Sequence, residues 1–229
     1  MKIIRFDEIG STSDYAKELI AKNENVVVIA TKQTGGKGTK GRSFSSNEGG
    51  VYLTKLCFYD NFFAKDAFLV MARTAVAVCK TLEDFDLKPK IKWANDVFVA
   101  NKKICGILIE NIFYGNKISS SLIGVGLNVN NDLPEELNEI ATTMRLQKRE
   151  IVDFQAVESK LIGYLNEKFS MDEYIKRVGY LNEEVTLLSS EEELTATLLR
   201  VEKDGGLVVK TVDGERKVFS GEISIRIRK

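Results

Sequence analysis

Two rhythms divide this chain, and together they constrain its fold more tightly than any single motif. Through the first two-thirds, β-branched runs alternate with amphipathic stretches, whereas roughly the last fifty residues are short strand-like pieces broken at Asp204-Gly205-Gly206 and Asp213-Gly214. That change predicts an α/β domain over residues 1–178 and a small β-barrel over residues 179–229, with no Pro/Gly/Ser-rich linker at the join. A length of 229 residues accommodates a main core and an appendage.

Within the larger part, Ser11-Thr12-Ser13 offers N-caps to a helix over Ser13–Ala21, and the β-branched run Val26–Thr31 reads as a buried strand. Val51–Phe58 returns to strand, and Ala64–Phe85 predicts a long helix ending before Pro89. Ile91–Val99 and Ile104–Phe113 form two strands about a turn at Asn101. Ile118–Val129 is a further strand, interrupted by Gly124 and Gly126, and Asp153–Phe169 is an amphipathic helix.

Composition then narrows the chemistry. The chain has no histidine, which removes the commonest general base and the commonest metal ligand, so any reaction falls to Lys, Arg, carboxylates or backbone. Thirty-three basic residues balance 33 acidic ones, leaving no overall positive field to gather nucleic acid or an anionic membrane; an anion site must be local. Cys57, Cys79 and Cys105 are an odd number, far apart in apolar sequence, and suit reduced buried thiols of a cytoplasmic protein. Met1 to Asp7 lacks the pattern of a secretory leader, and no apolar run is long enough to span a bilayer.

The stretch Gln33 to Arg42 carries four glycines in seven residues and cannot be regular structure. Gly36 to Ser43 nearly matches a P-loop, with Arg42 where lysine is required. A P-loop runs directly into a helix, however, and here Ser45-Ser46-Asn47-Glu48-Gly49-Gly50 and a strand follow. The loop still suits an anion, because glycines let backbone N–H groups approach oxygens while Lys37, Lys40 and Arg42 supply charge. A solvated surface turn is the alternative.

The loop from Gln33-Thr34 to Arg42 resembles the G-R-G-R-x-G-R segment of biotin–protein ligases, with Phe44 near that family's aromatic position. Further stretches resemble the family's motifs in the same order. Ser11-Thr12-Ser13 resembles S-T-N, Lys92-Trp93-Ala94-Asn95-Asp96 resembles K-W-P-N-D, and Lys102 to Glu110 resembles K-x-x-G-I-L-x-E. Gly124 to Asn130 resembles G-x-G-x-N-x-N, and Phe219 to Ser224 looks like the closing strand of the family's C-terminal domain.

The resemblance implies a mixed, mostly antiparallel sheet with helices on one side, related to class II aminoacyl-tRNA synthetases, followed by an SH3-like barrel. It implies an enzyme that joins biotin and ATP into biotinyl-5′-AMP and passes biotin to a lysine of a biotin carboxyl carrier protein. Lys103 would be the principal catalytic cation, with Lys37 and Arg42 holding phosphate and carboxylate oxygens. Ser11, Thr12, Gln33 and Gly36 would line the biotin site with Lys37 and Lys103. Arg42, Phe44, Asn95, Lys103 and Asn128 would meet the nucleotide, and Asp96 would help hold Mg²⁺. Plainer roles stand beside these: an exposed turn lysine for Lys103, helix capping for Ser11 and Thr12, a core position for Trp93, and a bulge at Gly124 and Gly126.

Departures from the pattern are Thr39, where the family's loop is commonly basic, Lys37, where arginine is usual, and Ser13. Only ten residues precede Ser11, so the helix-turn-helix domain of some relatives, and with it operator binding, is not expected. A lipoate–protein ligase is the nearest enzymatic alternative, and a non-catalytic nucleotide- or RNA-binding module the alternative outside enzymes. A homodimer through an exposed sheet edge is a further expectation.

Overall fold

The computed structural model describes residues 2–188, 193–220 and 224–227. Its larger part opens with β1 (Lys2–Ile9), α1 (Thr12–Glu18) and β2 (Val26–Gln33). The strand β1 runs parallel to β2, Lys2 opposite Val26. It was absent from the sequence expectation because its residues are mostly exposed or half-buried, so no apolar run marks it. Next come β3 (Val51–Phe63), α2 (Phe68–Glu83), β4 (Lys90–Lys92), β5 (Asp96–Val99), β6 (Lys102–Tyr114) and β7 (Lys117–Leu127). They complete a seven-stranded sheet of order β1-β2-β3-β7-β6-β5-β4, antiparallel beyond β2. The expected strand Ile91–Val99 is thus two strands, reversed at Trp93-Ala94-Asn95, where the Trp93–Ala94 peptide is cis. The long helix starts only at Phe68, after a 3₁₀ turn over Ala64–Asp66.

Helices lie on both faces of this sheet, not one. The period-2 alternation of β2 decides the matter. Val26 and Val28 pack with Ala16 and Leu19 of the α1 region and with Leu56 and Leu122. Val27 and Ile29 point the other way, into a core shared with Ala72, Val76 and Cys79 of α2 and with Leu53 and Val125. Three more helices follow: α3 (Met144–Lys148), α4 (Phe154–Tyr164) and α5 (Met171–Arg177). The second of these is shorter than the Asp153–Phe169 expected, with Asp153 as its N-cap.

The C-terminal part comprises β8 (Glu184–Leu188), β9 (Glu193–Val201), β10 (Leu207–Thr211), β11 (Gly214–Val218) and β12 (Ser224–Ile227), in the order β11-β10-β9-β8-β12. Among the described residues its ladders do not close into a barrel. Gly221, Glu222 and Ile223 of the expected closing strand lie outside the described residues. Val185, Leu198 and Val209 of this sheet join the main apolar core, so the two sheets share one interior. Cys79 and Cys105 are buried, Cys57 is half-buried, and all three are free thiols. Among the described residues no helix is long and apolar enough to cross a membrane.

Candidate active site

Beyond the N-terminus of α1, its face of the sheet opens into a cleft with about 490 Å³ of free space, part of it continuous with solvent. Register builds the floor. Thr54 of β3 stands opposite Gly124 of β7, which stands opposite Leu108 of β6, and the next row places Gly126 opposite Gly106. Onto that second row lies the ring of Phe44: a Cβ added at Gly126 would come 2.5 Å from its Cε1, and one at Gly106 would come 3.0 Å from its Cε2. These two glycines therefore exist for close approach of a ring to the strands, which a side chain would prevent. Tyr52 meets Phe44 edge-on, with ring centroids 6.4 Å apart.

The end nearest α1 is polar and already paired. Gln33 Oε1 accepts from the Thr12 backbone N–H at 2.8 Å and from Thr12 Oγ1 at 3.0 Å, and its Nε2 donates to Ser46 Oγ at 2.9 Å. Thr12 Oγ1 also shares a hydrogen bond with Thr54 Oγ1 at 2.9 Å. Ser11 caps α1 by accepting from the Asp14 N–H at 3.3 Å, so it serves as a cap and lines the cleft as well. Gly36 is buried under the loop, its carbonyl accepting from Phe44 N–H at 2.9 Å.

At the other end stands Lys103. Its backbone bonds with Ile140 O and the Thr142 N–H tie the start of β6 to the segment before α3. Its Nζ pairs with Asp96 Oδ1 at 2.8 Å and lies 5.9 Å from the Phe44 ring centre. Neighbouring Lys102 instead donates to Asn138 O at 2.6 Å, outside the cleft. Asn95 is held by reciprocal bonds with the Ile107 backbone, N–H to O and Nδ2 to O, each 3.1 Å. Lys37 reaches from the loop to Asp14 Oδ1 at 2.5 Å.

The structure thus brings Ser11, Thr12, Gln33, Lys37, Phe44, Asn95 and Lys103 to one cleft, together with Thr39. Arg42 is exposed and does not line it, and neither do Gly36, Asp96 and Asn128. The amide of Asn128 is buried, donating to Thr142 O at 3.1 Å and accepting from Asn131 Nδ2 at 3.1 Å, so it braces the segment to which Lys103 is tied. Two residues escaped the sequence reading, Thr54 and Asp14, and Glu110 entered it only as the end of the Lys102 to Glu110 stretch, with no role of its own. Glu110 accepts from Ser13 Oγ at 2.7 Å and from Lys17 Nζ at 2.8 Å. Burial pushes its carboxyl up, but those bonds outweigh burial and hold it below the usual glutamate value. A threonine and a glutamate inside otherwise apolar strands were the available signals, as was an acidic residue in the first turn after the caps.

Residues 6–128 match the model of the biotin/lipoate A/B protein ligase family, and residues 180–226 match that of the biotin protein ligase C-terminal domain. The chain belongs to the biotin protein ligases of that family. Among the family's members, the bifunctional ligase/repressor BirA of Bacillus subtilis (strain 168) is 30% identical, over 97% of this chain and 74% of that relative. BirA of Escherichia coli (strain K12) is 25% identical, over 95% and 72%. Of the solved ligases, the biotin protein ligase from Aquifex aeolicus in complex with biotin and ATP superposes with a TM-score of 0.77 at 28% identity, covering 99% of both chains. The apo structure of the same protein gives 0.81 at 26% identity, again covering 99% of each.

Proposed function

We propose that this ligase activates biotin with ATP in the cleft beneath Phe44 and transfers biotin to a lysine of a biotin carboxyl carrier protein. The observation that carries the proposal is the division of the cleft, with the Thr12–Gln33–Thr54 hydrogen-bond network at one end and Lys103 at the other. A cyclic urea with donors and acceptors suits the first end, and a carboxylate meeting an α-phosphate suits the second.

In the first step a biotin carboxylate oxygen attacks the α-phosphorus, the new P–O bond forms, and the bond to the β-phosphate breaks, releasing pyrophosphate. Two anions approach one another, so cations must offset the growing charge. Lys103 would contact the carboxyl oxygen and α-phosphate, leaving Asp96 as it does so, and Lys37 would leave Asp14 in the same way. Arg42, Asn95 and Asn128 are proposed for the nucleotide. Of these, Asn95 already lines the cleft, Arg42 would have to fold in with the loop, and Asn128 would act by bracing the segment at Thr142. In the second step the acceptor amine attacks the acyl carbonyl, the C–N bond forms, and AMP leaves; no enzyme nucleophile is required.

Mg²⁺ fits this donor set only as an ion carried by phosphates. Among the described residues no three acidic or sulfur ligands cluster, and Asp96 offers one carboxylate. When bound there it would neutralise phosphate charge. The match to a biotin-ligase C-terminal domain supports biotin over lipoate as the acid. A homodimer through an exposed sheet edge, the domain boundary near residue 178 and a cytoplasmic location belong to the same proposal.

Biotin-dependent exchange of pyrophosphate into ATP is the test. Exchange should require biotin and fall about 10²–10³-fold in Lys103→Ala, the typical loss of one donor to a developing charge. Exchange independent of biotin, or equally supported by lipoate, would sink the reading.

A further inference from the structure

The turn between β9 and β10 is fixed from within and buried at its tip. Gly205 N–H donates to Glu202 O at 2.9 Å, Glu202 N–H to Gly206 O at 2.8 Å, and Gly206 N–H to Asp204 Oδ1 at 3.0 Å. From β11, Lys217 Nζ reaches Asp204 Oδ2 at 2.5 Å and Glu202 Oε2 at 2.7 Å. Gly205 has φ +85°, and a Cβ there would lie 2.1 Å from Cγ of Phe68, so only glycine lets this peptide rest on that ring. Its carbonyl then accepts the indole N–H of Trp93 at 3.0 Å, within a buried contact.

Trp93 opens the three-residue reversal that leads into the cleft at Asn95. Tyr174 Oη donates to Ala94 O at 3.0 Å, Asn95 is bound to the Ile107 backbone, and Asp96 carries Lys103. The first two residues of the reversal are thus anchored by elements that follow the ligase sheet in sequence, while the third, Asn95, lines the cleft and Asp96, the first residue of β5, pairs with Lys103 there. A buried indole N–H needs an acceptor, and here the acceptor comes from the other sheet rather than from the sheet that carries Trp93.

We infer that Trp93 and Gly205 form a clasp through which the C-terminal sheet positions Asn95, Asp96 and hence Lys103 for adenylate formation. Both are positioning residues, touching no substrate themselves. The inference rests on the proposed role of Lys103, and the experiment separates the two.

The test uses the full chain with Trp93→Phe, which keeps a buried ring and removes the donor, and Gly205→Ala, which drives a methyl into Phe68. A third variant, Gly205→Ala with Phe68→Ala, restores space. Biotin affinity is measured by calorimetry, kcat and the KM for ATP by pyrophosphate exchange, and folding by thermal melting. Both single variants should bind biotin as wild type does yet lose about tenfold to a hundredfold in kcat, the scale of a small misplacement at a reacting centre. The third variant should recover part of that loss. Folded variants with unchanged kcat would overturn the clasp, as would biotin affinity and kcat falling together with melting temperature. Absence of biotin-dependent exchange in wild type would instead overturn the functional reading.

Discussion

The two faces of the seven-stranded sheet are made by the same strands one residue out of phase, yet the face under α2 is sealed while the other, beyond α1, is left open. In β7, Val125 and Leu127 enter the core beneath α2, while Gly124 and Gly126 line the cleft. In β6, Cys105 and Ile107 enter the core, while Gly106 and Leu108 face the cleft. An alternating strand normally sets apolar against polar residues. Here the outward partner is often glycine, which neither buries apolar area nor satisfies water, and its value lies in letting another group rest on the backbone. In this structure that group is the ring of Phe44.

The comparison breaks first on the sealed face. Leu82 of α2 is fully buried in the main core, and Leu82→Ala should cost about 2–5 kcal/mol of stability, transfer and cavity together. Denaturant melts would register that loss, while exchange activity per folded molecule should stay near wild type. The reverse holds across the sheet. Gly126→Ala places a methyl into Phe44 and should lower activity by about a hundredfold. It should change the unfolding midpoint little, because the displaced ring sits at the cleft rather than in the core. Equal stability losses in the two variants would show that the open face is ordinary core after all.

Residues whose meaning is local were legible in advance. Four glycines made the loop unmistakable, interrupted strand pattern exposed Gly124 and Gly126, and the switch from mixed periods to short strands separated the two sheets. What depended on distant partners was not legible. Lys92-Trp93-Ala94-Asn95-Asp96 contains neither glycine nor proline, so its reversal could not be seen, and the sheet acquired a strand too few. The apolar residues of β1 are interrupted by Arg5, Asp7 and Glu8 and made no continuous run, and the position of α1 followed from the parity of β2, which only packing fixes. Asn128 looked like a ligand-facing amide, but its partners are Thr142 and Asn131.

Glu110 sharpens the comparison through pH. It lies on the open side of β6, and its carboxyl is held below the ordinary value of 4.5 by Lys17 and Ser13 despite partial burial. A depressed folded value means that the carboxylate contributes stability fully above the unfolded value and loses it as pH falls through the folded one. Wild type should therefore lose this contribution on acidification below 4.5, and Glu110→Gln should show a flatter acid limb in that range. The difference at neutral pH should be about 1 kcal/mol or less, since the pair is only partly sheltered. Parallel acid limbs would remove Glu110 from the scaffold of the cleft mouth.

An effect of similar size concerns how long the intermediate stays. The cations that line the cleft, Lys37 and Lys103, each share a carboxylate, Asp14 and Asp96 respectively. Thr39 lines the same cleft from the loop and adds no charge, while Arg42 lies exposed beyond it. An acyl-adenylate phosphate bound there would meet cations that already have partners. Arginine at position 39 would supply a planar donor with no neighbouring claim on it. Thr39→Arg should therefore slow dissociation of pre-formed biotinyl-adenylate about fivefold, equivalent to about 1 kcal/mol, with folding stability unchanged. A chase of labelled adenylate measures the rate directly. An unaltered rate would mean that retention depends on Phe44 lying over Gly106 and Gly126 rather than on loop charge, and Gly126→Ala should then release the intermediate faster than Thr39→Arg retains it.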